Sequence, residues 1–123
     1  MTTALILFAH GARDPEWASP MRRVQAAIRR RRPDLPVELA FLEFMAPTLA
    51  DCAQALIAGG ATKIVVMPMF VARGGHLKRD VPELLASLQA AHPGVELTLG
   101  EVAGEQEIVV QAMAEASLQT LGL

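Results

Sequence analysis

Two histidines and one glutamate follow apolar runs that are typical of buried strands. His10 comes directly after LILFA, Glu43 after VELAFL, and His76 after IVVMPMFVARGG. Neutral imidazoles are good ligands for divalent iron, cobalt, nickel or zinc, and a carboxylate can complete such a set or accept protons. Ligands from three separate loops match no local metal motif, so their spacing alone leaves a structural role open for each residue.

The elements that must position these residues alternate regularly along the chain. Four short apolar runs, at residues 4–9, 37–42, 62–67 and 95–99, are separated by amphipathic stretches with helical spacing. This alternation predicts an α/β fold with a parallel sheet and helices on both faces. We expect one flavodoxin-like, three-layer domain over residues 1–123, with four strands in the order 2-1-3-4.

That strand order determines where the candidate residues meet. Strands 1 and 3 are neighbours at the switch point of the sheet, where open α/β sheets bind their ligands. His10 and His76 should therefore face one crevice, bordered by Glu43. Gly74 and Gly75 are expected to adopt backbone conformations closed to other residues and to deliver His76 in a loop. The next helix should begin at a capping box formed by Asp80 and Glu83.

Composition narrows the classes of function. The chain has 123 residues, of which 52% are hydrophobic and 20% charged, and this suits one compact domain. A net charge of -2 offers no basic excess for nucleic acid, and no apolar run approaches the length of a membrane span. Without a secretory signal pattern at its start, the chain is expected to be cytoplasmic. Its one cysteine, Cys52, lies on a helical apolar stripe and is interpreted as a core residue.

The predicted rim of the crevice combines cations with apolar side chains. The cations, which could bind carboxylates, are Arg13, Arg73, Lys78 and Arg79, and the apolar residues of the rim are Phe8, Phe44, Met69 and Phe70. We expect Phe44, Met45, Met69 and Phe70 to be exposed at or near this edge.

Three segments carry a resemblance to a known family. HGARDP at 10–15, FLEFMAPTL at 41–49 and PMFVARGGHLKRDVP at 68–82 resemble the short form of the sirohydrochlorin cobaltochelatase and ferrochelatase family. The third segment is the most specific. The resemblance implies a chelatase-like fold and ATP-independent insertion of Co²⁺, Fe²⁺ or Ni²⁺, as substrate, into sirohydrochlorin or a related tetrapyrrole in cobalamin or siroheme-type biosynthesis. No organic cofactor is implied.

The same resemblance implies roles for single residues. His10 and His76 match the histidines that bind the metal, and Glu43 matches the acidic position that delivers the metal or accepts pyrrole protons. Substrate contacts would come from Arg13, Phe44, Met69, Phe70, Arg73, Gly74, Gly75, Lys78 and Arg79. Larger chelatases of this kind have two such domains, so a short chain would resemble half an enzyme and form a homodimer.

Two other functions remain open from the sequence. Histidine phosphatases also place His-Gly after a first strand, and His10 would then accept a phosphoryl group. They carry Arg immediately before that histidine, however, where this chain has Ala9, and the chain is short for that fold. A non-catalytic carrier of metal or tetrapyrrole would use the same crevice without turnover.

Overall fold

A four-stranded parallel sheet forms the centre of the molecule. The computed structural model describes residues 2–123, apart from the side chain of His76. The strands are β1 (Thr2–Ala9), β2 (Val37–Phe41), β3 (Ala61–Pro68) and β4 (Glu96–Leu99), and the helices are α1 (Ser19–Arg31), α2 (Leu49–Ala58), α3 (Gly75–Ala91) and α4 (Glu107–Thr120). The strand order is β2-β1-β3-β4 with every pair parallel, so the predicted α/β fold and order are confirmed.

The two faces of the sheet are covered unequally. Because side chains alternate along a strand, Ile6 and Phe8 of β1 face the main core, where α2 and α3 contribute the covering helices. Ala9 lies on the opposite face in a smaller cluster with Phe41 and with Ala18, which directly precedes α1. Helices therefore lie on both sides of the sheet, with α2 and α3 on one face and α1 on the other.

Helix α3 begins earlier than the sequence predicts. It starts at Gly75, so the expected capping box at Asp80 and Glu83 is wrong and Pro82 lies inside the helix. Leu77 stands one turn before Val81 on the stripe that faces the core, and both side chains are buried. Burying a leucine contributes roughly 1.5 to 3 kcal/mol, which offsets much of the roughly 3 kcal/mol that an interior proline costs.

Cys52 is a core residue, as the sequence indicates. It lies on α2 with 4% of its surface exposed. Burial, with a smaller contribution from the charge of Glu38, raises the pKa of its thiol to about 11. The thiol is therefore protonated near neutral pH, and Cys52 is poorly suited to act as a nucleophile.

Helix α4 is the least integrated element. None of its residues is buried, and its main packing contact is with the short 3₁₀ turn at Ala103–Glu105 just before it. Within residues 2–123, no helix is long and apolar enough to cross a membrane.

Candidate functional site

The loops after β1 and β2 are joined by backbone hydrogen bonds beyond the ends of their strands. The Leu42 N–H donates to the Ala9 carbonyl over 2.9 Å, and the Glu43 N–H donates to the His10 carbonyl over 3.0 Å. These bonds lie just beyond the parallel register of the two strands, which ends at Ala9 and Phe41. The backbones that carry His10 and Glu43 are therefore adjacent, as the strand order predicts.

Gly11 makes this close approach possible. Its φ is +86°, and a Cβ placed on it would lie 1.9 Å from the carbonyl oxygen of Glu43. Any other residue would both be strained at this φ and collide with the Glu43 backbone. Gly11 was not among the predicted site residues, although it belongs to the His-Gly-Ala-Arg segment.

The imidazole of His10 is partly buried and lies against an aromatic ring. Its ring centroid is 4.5 Å from that of Phe70, with the two planes tilted by 43°. Phe70 follows β3, so this contact links the end of β1 to the segment after its neighbour. No hydrogen bond to either nitrogen of His10 comes from the residues whose side chains the structure describes.

The apolar residues of the predicted rim behave differently from one another. Phe44 is 58% exposed, as expected, and the Arg13 guanidinium lies over its ring at 4.9 Å from the centroid. Phe70 is only 4% exposed, so the expectation that it is exposed at the rim is wrong. Its ring is buried because it packs against Phe8 in the main core, and Phe8 is itself fully buried, so its predicted place at the rim is wrong as well. Met45 and Met69 are partly buried against the smaller cluster.

The cations near the start of α3 are accessible. Arg73 lies 3.6 Å from Glu105, and Arg79 lies 3.8 Å from Asp80, in pairs that remain substantially exposed to solvent. Lys78 is exposed on the same first part of the helix. Exposed ion pairs contribute little stability, so these cations can exchange partners when a carboxylate ligand arrives.

His76 is the second residue of α3 rather than part of a loop. Its side chain lies outside the described part of the structure, so its predicted role stays a prediction. Gly74 has an ordinary φ of -72°, and Gly75 is not among the residues with positive φ. The expected glycine-only conformations are therefore wrong at both positions. Open space surrounds both, so the backbone there is accessible to a ligand.

The described side chains alone do not form a complete set of metal ligands. They include no group of three or more histidine, cysteine, aspartate or glutamate residues able to hold a metal ion. His10 and Glu43 are neighbours in backbone position, and the start of α3 brings the His76 backbone to the same edge of the sheet. That edge therefore offers imidazole and carboxylate donors beside exposed cations, a combination suited to a divalent metal and an anionic ligand.

Phe70 also lines an apolar cavity of about 140 Å³. Leu77 and Val81 of α3 line one wall, Leu99 and Val102 line another, and the Arg73–Glu105 pair lies at the lining as well. The segment after β4 thus contacts the segment that follows β3. The sequence did not predict this contact. Gly104, which closely approaches the Val71 backbone, is the residue that could have indicated it.

The comparisons with known proteins agree with this geometry. The sequence model of the CbiX family matches residues 4–120. A sirohydrochlorin cobaltochelatase of Saccharolobus islandicus is 33% identical over 122 residues, covering 94% of this chain and 94% of that protein. One of Methanococcus aeolicus is 36% identical over 86 residues, covering 70% of this chain and 60% of that protein.

Longer relatives match over about half of their length. A sirohydrochlorin ferrochelatase of Priestia megaterium is 32% identical over 120 residues, which are 95% of this chain and 44% of that protein. The sirohydrochlorin chelatase SirB from Bacillus subtilis in complex with cobalt superposes with a TM-score of 0.77 at 28% identity, over 97% of this chain and 51% of that one.

A solved structure of similar length is closer in shape. The putative cobalamin biosynthesis CbiX protein from Marinobacter aquaeolei superposes with a TM-score of 0.86 at 27% identity, over 98% of both chains. The fold and its structural neighbours thus define a chelatase-like α/β protein. The family match covers nearly the whole chain, and the chain belongs to the CbiX family.

Gly11→Ala tests the close approach of the two loops. It should destabilise the fold by roughly 1 to 3 kcal/mol more than Gly60→Ala, because both changes strain a positive φ but only the first creates a collision. Unfolding in urea measures the two free energies. Equal losses for the two variants would show that the contact with Glu43 is relaxed at little cost.

Proposed function

We propose that this chain inserts divalent cobalt or iron into sirohydrochlorin. The observation that carries the proposal is the adjacency of His10 and Glu43 on two hydrogen-bonded loops at the carboxyl edge of the sheet, in a member of the CbiX family. The relatives named as cobaltochelatases and ferrochelatases support the substrate class. The metal ion is a substrate of the reaction, not a resident cofactor.

The chemistry assigns separate tasks to the donors. Insertion breaks two pyrrole N–H bonds and forms four metal–nitrogen bonds, so one dication enters and two protons leave, one to Glu43 and one to solvent at the exposed edge. His10 and His76 bind the metal before transfer, because neutral imidazole suits cobalt and iron alike. Glu43, exposed at the edge, accepts a proton from the macrocycle. No redox step or ATP hydrolysis is needed, and we propose no organic cofactor.

The cations orient the macrocycle through its carboxylates. Arg13, Arg73, Lys78 and Arg79 are exposed around the edge, and Gly74 and Gly75 leave open backbone beside them. No side chain caps the first turn of α3, so its backbone N–H groups can also meet a carboxylate. Phe44, and in part Met69, provides apolar surface for the flat ring.

The proposal leaves the physiological metal and the biosynthetic pathway open. Imidazole and carboxylate donors also accept nickel, so the donor set leaves the metal and the cobalamin or siroheme-type pathway to be decided by assay. We propose a cytoplasmic protein that acts on a tetrapyrrole, with no nucleic acid or membrane as partner.

We also propose a homodimer, supported first by α4. Val110, Met113, Leu118 and Leu121 lie within one broad arc of this helix and its end at 100° per residue, and they are 39 to 73% exposed. A helix with an exposed apolar face is stabilised when another element covers that face.

The sheet offers a matching surface. Leu5, Val65 and Met67 lie on the face opposite the main core and are partly exposed, whereas Ile64 and Val66 on the core face are fully buried. Helix α1 packs toward β2 on that opposite face, away from β3. The α4 of a second copy would cover the surface over β3.

Charge and substrate shape favour the same arrangement. Lys63 lies on this face of β3, and α4 carries Glu107 and Glu115 with no lysine or arginine. A flat macrocycle also needs walls on both sides, and one domain offers a single loop-lined edge. A stable pair should bury roughly 1,200 Å² or more in total.

The histidines provide the direct test of the function. His10→Ala should severely impair metal insertion and His76→Ala should abolish it, with the fold retained, because both residues follow the ends of strands and His10 is not part of the main core. The matched control is His92→Ala, at the far end of α3, which should keep wild-type turnover. Visible absorption of sirohydrochlorin with Co²⁺ or Fe²⁺ follows turnover, and circular dichroism checks the fold.

Wild-type turnover in a folded His10 or His76 variant would remove that residue from the mechanism. Binding of metal or tetrapyrrole without turnover by the wild-type protein would indicate a carrier.

Glu43→Gln separates proton acceptance from metal binding. The change keeps the shape and removes the charge, so turnover should fall about 100-fold or more while metal affinity changes less. Glu96→Gln, at the amino end of β4, is the control carboxylate and should behave as wild type. Turnover of the Glu43 variant close to the wild-type rate would contradict the role of Glu43 as proton acceptor.

Met113→Asp tests the proposed dimer. A charge in the apolar arc of α4 should shift the chain to monomers in sedimentation at micromolar concentration and reduce turnover, because burying an unpaired charge is costly. Ala112→Asp places the same charge on the opposite side of α4 and should leave the dimer intact. A wild-type monomer with full turnover would contradict the dimer.

A further inference from the structure

The His10 imidazole has an aromatic neighbour and, among the described residues, no hydrogen bond. A histidine that binds metal is usually oriented by a hydrogen bond from its second ring nitrogen to a carboxylate or carbonyl. Around His10, the described side chains and backbone supply no such bond, and the ring centroid of Phe70 lies 4.5 Å from that of His10.

Phe70 is itself firmly held. Its side chain is 4% exposed, and its ring lies 6.0 Å from that of Phe8 in the main core. Its carbonyl accepts a hydrogen bond of 2.8 Å from the Gly104 N–H. A Cβ on Gly104 would lie 1.9 Å from the Val71 carbonyl oxygen, so this approach of the segment after β4 requires glycine.

We propose that Phe70 is a positioning residue that fixes the His10 imidazole in the orientation that binds the metal substrate. This inference rests on the proposed function, in which His10 is a metal ligand. The side chain of a histidine loses rotational freedom when it binds a metal, and a ring that already restricts this rotation reduces that loss. Because Phe70 is anchored through the core and through Gly104, it can hold His10 from a fixed place.

This role differs from the substrate contact that the sequence predicts for Phe70. A side chain with 4% exposure has little surface left for a macrocycle, whereas its buried ring directly meets the imidazole. Phe44, which is 58% exposed, is better placed to contact the substrate.

The test compares two buried phenylalanines. Phe70→Leu keeps an apolar side chain in the core but removes the flat ring beside His10, and Phe8→Leu is the matched control because Phe8 contacts Phe70 instead. Titration with Co²⁺ alone, followed by visible absorption, measures metal affinity without the tetrapyrrole. Proton NMR of the His10 ring measures the shift caused by the neighbouring aromatic ring, and thermal unfolding measures stability.

Phe70→Leu should weaken Co²⁺ binding about tenfold or more and remove the aromatic shift of the His10 protons. Phe8→Leu should cost similar stability with little change in affinity, and Phe70→Tyr should restore both readouts. Should Phe70→Leu fail to fold, Phe70→Met replaces it, because a flexible methionine adapts to the space left by the ring without being aromatic. Wild-type affinity in the folded Leu or Met variant, or an equal loss in Phe8→Leu, would overturn the positioning role.

His10→Ala in the same Co²⁺ titration separates the two proposals. Loss of binding in this variant together with unchanged binding in Phe70→Leu would overturn only the positioning role. Unchanged binding in His10→Ala would overturn metal ligation by His10 and, with it, any role for Phe70 in orienting a ligand.

Discussion

The site depends on the hydrogen bonds that pair the loops beyond the ends of β1 and β2. The bond from the Glu43 N–H to the His10 carbonyl ties together the two loops that carry these candidate residues. The bond forms at this distance because Gly11 has no side chain to separate the backbones. The end of the parallel pairing at Ala9 and Phe41 is thus followed at once by loop hydrogen bonds that hold the candidate residues side by side.

The fold was predictable from the sequence because each strand is a short apolar run and the stretches between the runs have helical spacing. Strand order followed from general rules for parallel sheets, and it brought His10 and Glu43 to one edge as expected. The start of α3 was not predictable from local signals. Asp80, Pro82 and Glu83 favour a helix start there, but burial of Leu77 extends the helix by more than one turn.

Contacts between distant segments explain the other differences. Phe70 looks like an exposed residue after a strand, yet Phe8 and the segment around Gly104 enclose it, and these lie far away in sequence. Four exposed apolar residues of the last helix and its end lie within one arc, but the sequence does not specify what they pack against. Their exposure, together with the uncovered face of β3, supports the proposed dimer.

In the proposed function, one metal ion is held at this edge by the imidazoles of His10, just after β1, and His76, in the first turn of α3. X-ray absorption fine structure of the Co²⁺-loaded wild-type protein, without tetrapyrrole, tests this ligation. We expect scattering from two imidazole rings, with one ring lost in His10→Ala and one in His76→Ala. A cobalt environment with no imidazole scattering, or with imidazole scattering that both variants leave unchanged, would contradict it.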